Sequence, residues 1–232
     1  MLHNLSLIPL APFLIFQGRR VKAKTPRLAE ASGARSGTVG EGPLLNLLIL
    51  GDSAAAGVGV DSQNDALSGQ LAGLLASRMT VNWTLQAHTG LKVVDFLPPA
   101  ERLPKLQAEV IVVSLGVNDV TGRTSVRRWT RQVNELLDTL QRRYRPKQVL
   151  FSAVPPMDRF PALPEPLRWY LGERARQLNI QLERTLADRP GTRLVQVEFE
   201  QGHATLASDG FHPGKAGYSA WARTLADMIE VG

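Results

Sequence analysis

The 232-residue sequence predicts an α/β fold of three layers, in which helices cover both faces of an open five-stranded parallel sheet. Two observations carry this prediction. Short runs such as 44–50 and 110–115 are apolar on both faces, which is typical of parallel strands buried between helices. These runs alternate with longer segments whose apolar residues recur every three or four positions, the period of a helix.

The predicted elements follow one another in a regular order. The strands are expected near residues 44–50, 81–87, 109–115, 147–153 and 192–198. The helices are expected near 63–78, 123–143, 165–188 and 214–230, with shorter helical turns between 90 and 107. In the helix at 123–143, Trp129, Val133 and Leu140 belong to an apolar stripe, and the opposite face is rich in arginine. The segment 154–166 contains five prolines and is predicted as either a rigid connection or a wall of a substrate pocket.

The first 40 residues differ in composition from the rest and are predicted as a segment separate from a catalytic domain at 41–232. Residues 5–16 are an apolar run of 12 that Pro9 and Pro12 interrupt, which is too short to span a bilayer comfortably. Residues 1–40 then hold six basic side chains against one acidic one, and 25–43 have the composition of a linker. We expect residues 1–24 to contact an anionic membrane surface, with a solvated disordered arm as the alternative.

Localisation is predicted from the same segment. Basic residues after an apolar stretch keep the following domain in the cytoplasm, so a membrane-associated protein with a cytoplasmic catalytic domain is expected. Export to the periplasm or secretion is the alternative, because the apolar run has the length of a signal-peptide core.

The composition excludes several kinds of chemistry. The absence of cysteine excludes disulfides, thiolate metal sites and a cysteine nucleophile. Histidines and carboxylates do not cluster as the ligands of a metal would, so no metal is expected. The net charge of +6 comes mostly from the first 40 residues, and a basic tail beside an apolar segment indicates an anionic membrane surface more than nucleic acid, so no nucleic-acid partner is expected.

Polar residues whose side chains can take part in a reaction lie at the ends of predicted strands and before the last predicted helix. Ser53 follows the strand at 44–50, and Asn118 follows the strand at 109–115. Asp209 and His212 precede the last helix. Because ligands of open α/β sheets bind at the carboxyl edge of the strands, we expect these side chains to meet there. Together they supply a nucleophile, an amide donor, a base and a carboxylate.

Among the four histidines, His212 is favoured as the base that takes the proton of Ser53. Asp209 precedes it by three residues on a tight turn, so one short loop can present both the imidazole and the carboxylate that orients it. His88 lies near the same predicted edge but has no acid at a short spacing. His3 lies in the tail, and His203 is not favoured.

Ester cleavage also needs donors for the oxyanion that forms at the attacked carbonyl. We predict the backbone N–H groups of Ser53 and Gly90 and the side-chain amide of Asn118, since glycine allows close approach to the main chain. A substrate pocket is predicted from Met157, Phe160 and Phe211, whose apolar side chains favour small acyl or lipid-like groups.

Four short stretches of the chain resemble the sequence blocks of the SGNH (GDSL) hydrolase family, of the lipase and esterase type. They are Gly51-Asp52-Ser53-Ala54, Gly90, Gly116-Val117-Asn118-Asp119 and Asp209-Gly210-Phe211-His212-Pro213. The resemblance spans roughly residues 44–230. It implies a flavodoxin-like sheet, no cofactor, and hydrolysis of acyl esters or thioesters through an acyl-enzyme. It also implies that Ser53 is nucleophile and oxyanion donor, that Gly90 and Asn118 complete the oxyanion hole, and that Asp209 orients the base His212.

Two other functions remain open at this stage. A carbohydrate O-acetyl esterase would use the same catalytic residues with a different pocket. A non-catalytic nucleotide-binding module is the alternative from another class, because the glycine-rich stretch 51–59 follows a strand, although it lacks the spacing of a phosphate-binding loop.

Overall fold

The computed structural model describes residues 10–98, 102–197 and 205–230, and it confirms the predicted three-layer α/β architecture. Six strands form one mixed sheet: β1 Ser36–Val39, β2 Leu44–Gly51, β3 Thr80–Ala87, β4 Val110–Ser114, β5 Gln148–Ser152 and β6 Thr192–Val195. Their order across the sheet is β1-β3-β2-β4-β5-β6. The last five are mutually parallel and correspond to the five predicted strands, with residue 198 of the fifth prediction lying outside the described residues.

The strand β1 was not among the five predicted strands, because the sequence analysis interpreted residues 25–43 as a linker. It forms one edge of the sheet and pairs antiparallel with β3, with Gly37 opposite Trp83. Most of its residues are exposed, so its side chains show no alternation of apolar and polar character. Only its backbone hydrogen bonds define it as a strand, and a hydropathy pattern cannot reveal those.

Six α-helices are present among the described residues: α1 Ala11–Lys24, α2 Leu67–Leu75, α3 Val117–Thr121, α4 Val126–Tyr144, α5 Leu167–Ala187 and α6 Lys215–Met228. Short 3-10 helices among the described residues cover Val93–Phe96 and Met157–Arg159. The predicted helix at 63–78 begins later, at Leu67, because Gln63 serves the preceding loop. Its side-chain amide donates to the carbonyls of Ala31 and Ala56 and accepts a hydrogen bond from Ser68.

The core consists of two apolar clusters, one on each face of the sheet. Strand β4 separates them, since Ile111 and Val113 face the cluster under α4 and α5 while Val110 and Val112 face the cluster under α2 and α6. All four of these side chains are almost completely buried. The apolar strand pattern thus has the physical basis that the sequence indicated: both faces of the strand are covered by helices.

The amino-terminal helix α1 packs against the start of α5. Its inner face buries Leu14 and Gln17, and the Gln17 amide hydrogen-bonds the carbonyl of Glu165 (2.7 Å) and the N–H of Leu167 (3.2 Å) at the start of α5. Residues 5–9 of the apolar run lie outside the described residues. Within the described ranges, no helix combines the length and apolar character needed to cross a membrane.

Gly116 joins β4 to α3, and we expect its replacement by alanine to destabilise the protein by roughly 1–3 kcal/mol. Its φ of 134° is a conformation that favours glycine, and an added Cβ would lie 2.5 Å from Cγ2 of Val154. Both effects act in the folded state alone. The measurement is the urea midpoint of unfolding, with an unchanged slope in denaturant showing that stability and not compactness has changed.

Gly73→Ala is the matched control for this substitution. Gly73 is exposed in α2, and an added Cβ there meets no atom within 4 Å. Alanine should therefore stabilise the helix by about 0.5–1 kcal/mol. A midpoint for Gly116→Ala equal to or above that of the unsubstituted protein would show that the turn tolerates a side chain.

Candidate active site

Ser53 lies at the carboxyl edge of the sheet, in the turn that leaves β2. The turn is held by its own backbone, with the N–H of Val58 donating to the carbonyl of Ser53 (3.0 Å). It is also held by Tyr218 of α6, whose buried hydroxyl lies 2.8 Å from the carbonyls of both Ala54 and Val58. Tyr218 thus clamps the loop that presents the serine. The sequence analysis did not find this residue, because its signal was only that of a core aromatic.

The structure brings together Ser53, His212 and Asp209, which are far apart in the sequence. Nε2 of His212 lies 2.8 Å from Oγ of Ser53, and Nδ1 lies 2.6 Å from Oδ2 of Asp209. The other carboxylate oxygen of Asp209 accepts the backbone N–H groups of Phe211 and His212, each at 3.0 Å. Those two bonds fix the tight turn, so the carboxylate and the imidazole are held in one rigid unit.

The electrostatics of Asp209 favour its ionised form. Burial acts to raise the pKa of this carboxyl, since only 2% of the side chain is exposed. The hydrogen bonds from the His212 ring and from the N–H groups of Phe211 and His212 outweigh burial and hold the pKa below its usual value. A carboxylate that stays ionised can orient the imidazole and stabilise its protonated form.

Asn118 lies on α3 beside the Ser53 turn, and its side-chain amide is fully engaged. Nδ2 donates to Oδ2 of Asp52 (3.1 Å) and to the carbonyl of Leu91 (3.0 Å). An amide group has two N–H donors, so donation to a third oxygen requires one of these bonds to be shared or released. Asp52 is buried, and burial raises its pKa to about 7. Its other oxygen accepts the N–H of Ala54 (3.1 Å).

Gly90 follows β3 on the next loop along the sheet edge. Its φ is 88°, and a Cβ built on it meets no atom within 4 Å, so the space beside its backbone is open. The loop is tied to the Ser53 strand by the N–H of His88, which donates to the carbonyl of Gly51 (3.3 Å).

Glu30 anchors the same loop, although sequence analysis placed it in the linker. Its carboxylate accepts the N–H of Thr89 (2.6 Å) and is paired with Arg35 (3.2 Å). Burial opposes ionisation of Glu30, but these bonds prevail and lower its pKa. Nδ1 of His88 lies 3.6 Å from the same carboxylate. His88 therefore has an acid near it in space, although that acid lies 58 residues away in the sequence. The His88 ring lies on the Glu30 side of the loop.

The three predicted pocket residues differ in their surroundings. Phe160 and Phe211 contact each other edge to face, with ring centroids 5.8 Å apart, next to His212. Met157 is 1% exposed and Phe160 8%, and both belong to the core, so of the three only the half-buried Phe211 offers a substrate more than a little surface. His3 and His203 lie outside the described residues. Within the described part of the chain, no three His, Asp or Glu side chains are grouped so that they could hold a metal ion.

The fold and these contacts define an α/β protein whose sheet edge carries Ser, His and Asp in the arrangement that can activate a serine. The model of the GDSL-like Lipase/Acylhydrolase family matches residues 49–220, well over half of the chain. The chain therefore belongs to this family, and the resemblance inferred from the four sequence blocks is confirmed. No match is found among the curated protein sequences.

Solved structures share the fold at low sequence identity. An extracellular lipase from Streptomyces rimosus is 18% identical with a TM-score of 0.61, over 80% of this chain and 100% of the lipase. TesA is 18% identical with a TM-score of 0.62, over 80% of this chain and 98% of TesA. The acetylxylan esterase Axe2 from Geobacillus stearothermophilus is 17% identical with a TM-score of 0.57, over 84% of this chain and 97% of the esterase.

Proposed function

We propose that this protein is a serine esterase that cleaves carboxylic ester or thioester bonds of small acyl or lipid-like substrates. The observation that carries the proposal is the continuous line of contacts from Oγ of Ser53 through the His212 ring to the buried Asp209. A serine hydroxyl is a weak nucleophile alone and needs a base within hydrogen-bonding distance. Membership of an esterase and lipase family supports the same reaction class.

The reaction proceeds in two halves. Oγ of Ser53 attacks the carbonyl carbon and its proton passes to Nε2 of His212, which gives a tetrahedral oxyanion and an imidazolium. The intermediate collapses to an acyl-serine as the leaving alcohol or thiol takes the proton from Nε2. A water molecule then attacks the acyl carbon while Nε2 of His212 takes its proton. The bond from the acyl carbon to Oγ breaks, the carboxylic acid leaves, and the proton returns from Nε2 to Oγ of Ser53. Asp209 remains ionised throughout and holds the Nδ1–H tautomer.

The oxyanion is stabilised by N–H groups around Ser53. The backbone N–H of Ser53 and that of Gly90 are assigned here as donors, the latter because open space beside Gly90 leaves its backbone approachable. The Asn118 amide is assigned as the third donor. For this role it releases or shares one of its bonds to Asp52 and Leu91 as the oxyanion forms.

A carbohydrate O-acetyl esterase is the second candidate. The His212 side chain is 26% exposed, so the site opens to solvent, which suits a small acyl group carried by a bulky polar alcohol. Axe2, whose fold this chain shares, is an acetylxylan esterase. The apolar contact of Phe160 with Phe211 favours lipid-like acyl chains instead. The nucleotide-binding alternative gains no support, since the stretch 51–59 is folded around Ser53, which faces His212.

The test is covalent labelling by a fluorophosphonate probe, followed by turnover of p-nitrophenyl esters of increasing chain length and of acetylated xylan. Labelling of the unsubstituted protein that is absent in Ser53→Ala and retained in Ser77→Ala supports the proposal. Ser77 is an exposed serine that bonds the carbonyl of Leu74 and lies outside the site. A folded protein that takes up no probe and hydrolyses no ester would refute it. A preference for xylan acetate over every p-nitrophenyl ester would establish the second candidate.

A further inference from the structure

We propose that α1 is a surface helix that docks on an anionic lipid membrane. Its exposed aromatic side chains enter the interface, and its arginines and lysines bind the lipid phosphates. The binding itself is independent of the proposed function. Only the consequence drawn below, the delivery of lipid-like esters to Ser53, rests on it.

The first half of α1 exposes apolar side chains, where a soluble helix normally exposes polar ones. Phe13 is 49% exposed, Ile15 43% and Phe16 57%, within a single turn of the helix. The inner face is already occupied, since Leu14 and Gln17 are buried against the domain. The exposed aromatics therefore have no role in fixing α1 to the protein, and they are free for an outside partner.

The charge on α1 identifies the kind of partner. Arg19, Arg20, Lys22 and Lys24 follow the apolar turn, and the helix carries no acidic residue. Aromatic residues beside a cluster of basic ones, with no compensating acid, are the features of helices that lie in the plane of an anionic bilayer. Because α1 is too short and too basic to cross the bilayer, adsorption is the form of binding that fits.

The orientation of α1 is coupled to the site. The Gln17 amide holds both the carbonyl of Glu165 and the N–H of Leu167, where the proline-rich loop 154–166 ends. The same loop supplies Phe160, which contacts Phe211 beside His212. Docking of α1 would therefore hold Phe160 and Phe211 in a fixed orientation relative to the membrane. Lipid-like esters would then reach Ser53 from the membrane.

The test is sedimentation of the full chain with vesicles of phosphatidylcholine alone and of phosphatidylcholine mixed with phosphatidylglycerol. We expect binding to the mixed vesicles that weakens with salt. Arg19→Gln with Arg20→Gln should lower the partition coefficient by about 25-fold, since each basic residue near such a surface contributes about a fivefold factor. Phe13→Ser with Phe16→Ser should lower it at least tenfold. Arg127→Gln with Arg142→Gln, exposed on α4, is the matched control and should bind normally.

Equal sedimentation with both kinds of vesicle, or normal binding by the α1 variants, would overturn the proposal. Self-association through α1 without vesicle binding would also overturn it and would assign this face to a second copy of the chain. Hydrolysis of soluble p-nitrophenyl acetate separates the two proposals. The α1 variants should keep that activity, whereas vesicle binding by a protein without esterase activity would refute the proposed function alone.

A second inference comes from different contacts: Glu30 is a positioning residue for the oxyanion donor Gly90, and this rests on the proposed function. Glu30 accepts the N–H of Thr89, the residue before Gly90, at 2.6 Å. Arg35, paired with Glu30, also donates to the carbonyl of Ala87. Residues on both sides of His88 are thus held by the segment that precedes β1, which lies outside the family match at 49–220.

These bonds add to two others in the loop, from the His88 N–H to the Gly51 carbonyl and from the Leu91 N–H to the His88 carbonyl, each at 3.3 Å. Gly90 has a positive φ and open space at its Cβ position, so its own packing does not fix the peptide plane. Loss of the Glu30 acceptor should allow the loop to rotate and should weaken oxyanion stabilisation. Since the oxyanion forms during the reaction and is absent from the bound substrate, kcat should fall while KM stays the same.

Glu30→Ala should lower kcat about tenfold, less than the roughly 100- to 1,000-fold loss on removing an oxyanion donor outright. Glu30→Gln retains an oxygen acceptor for Thr89 and should restore most of the activity. Glu41→Ala is the control, because Glu41 is an exposed acid in the connection between β1 and β2. An unchanged kcat in Glu30→Ala, or equal losses in the Ala and Gln variants, would overturn the assignment. Activity of the unsubstituted protein, measured alongside, tests the proposed function separately.

Discussion

Ser53→Ala and His212→Ala should each lower kcat for p-nitrophenyl esters by about a million-fold, and the double variant should lose no more than either alone. The two side chains act as one unit, since Oγ of Ser53 donates its proton only to the imidazole 2.8 Å away. Removal of either member abolishes the same step. Substrate binding and the backbone N–H of residue 53 persist in both variants, so KM should change little.

His88→Ala is the control for this pair of variants. His88 is the other described histidine near the sheet edge, and its side chain is 51% exposed beside Glu30. Its removal should leave kcat within about threefold of the original, as expected for an exposed side chain outside the reaction. Two results would show that His212 is not the base for Ser53. One is a strictly additive loss in the double variant, and the other is a large loss in His88→Ala with full activity in His212→Ala.

The sequence predicted those parts of the site that are determined locally. Asp209 and His212 are three residues apart on one turn, so their contact could be foreseen from spacing alone. The position of Ser53 followed from the apolar strand before it, because the carboxyl edge of a parallel strand is a ligand site in this fold class. The contact of Ser53 with His212 could be predicted only from the arrangement of the whole sheet, because the two residues are distant in the sequence. The predicted fold is confirmed.

The parts that the sequence did not predict depend on contacts between distant residues. Glu30 reaches Thr89 and Tyr218 reaches the Ser53 turn across many residues, and neither has a neighbouring motif. For Asn118, the amide itself was predicted, but not that Asp52 and Leu91 already accept its two N–H groups. A single sequence contains no local signal for such bonds, since they are formed only when separate loops come to the same edge.

Asp209→Asn should lower kcat by about ten-thousand-fold while the fold is retained. An asparagine can occupy the same space, but it removes the negative charge that holds Nδ1–H toward residue 209 and that stabilises the imidazolium. The neutral amide can also face Nδ1 with its N–H group, which would fix the wrong tautomer and leave Nε2 protonated toward Ser53. Ester turnover measures the loss. Asp138→Asn is the control, because Asp138 is an exposed partner of Arg189 and surface pairs contribute little.

The same carboxyl should also make stability depend on pH, and this separates a charge effect from a loss of shape. Its hydrogen bonds lower the pKa of Asp209 below the ordinary value of 3.8, so its stabilising contribution is complete above about pH 4 and disappears as the pH falls through the lowered pKa. Asp209→Asn lacks this proton-linked term. The difference in unfolding free energy between the two proteins should therefore be largest near neutral pH and should shrink on acidification. A constant difference, together with near-normal turnover in the Asn variant, would mean that residue 209 supports the turn and does not serve the imidazole electrostatically.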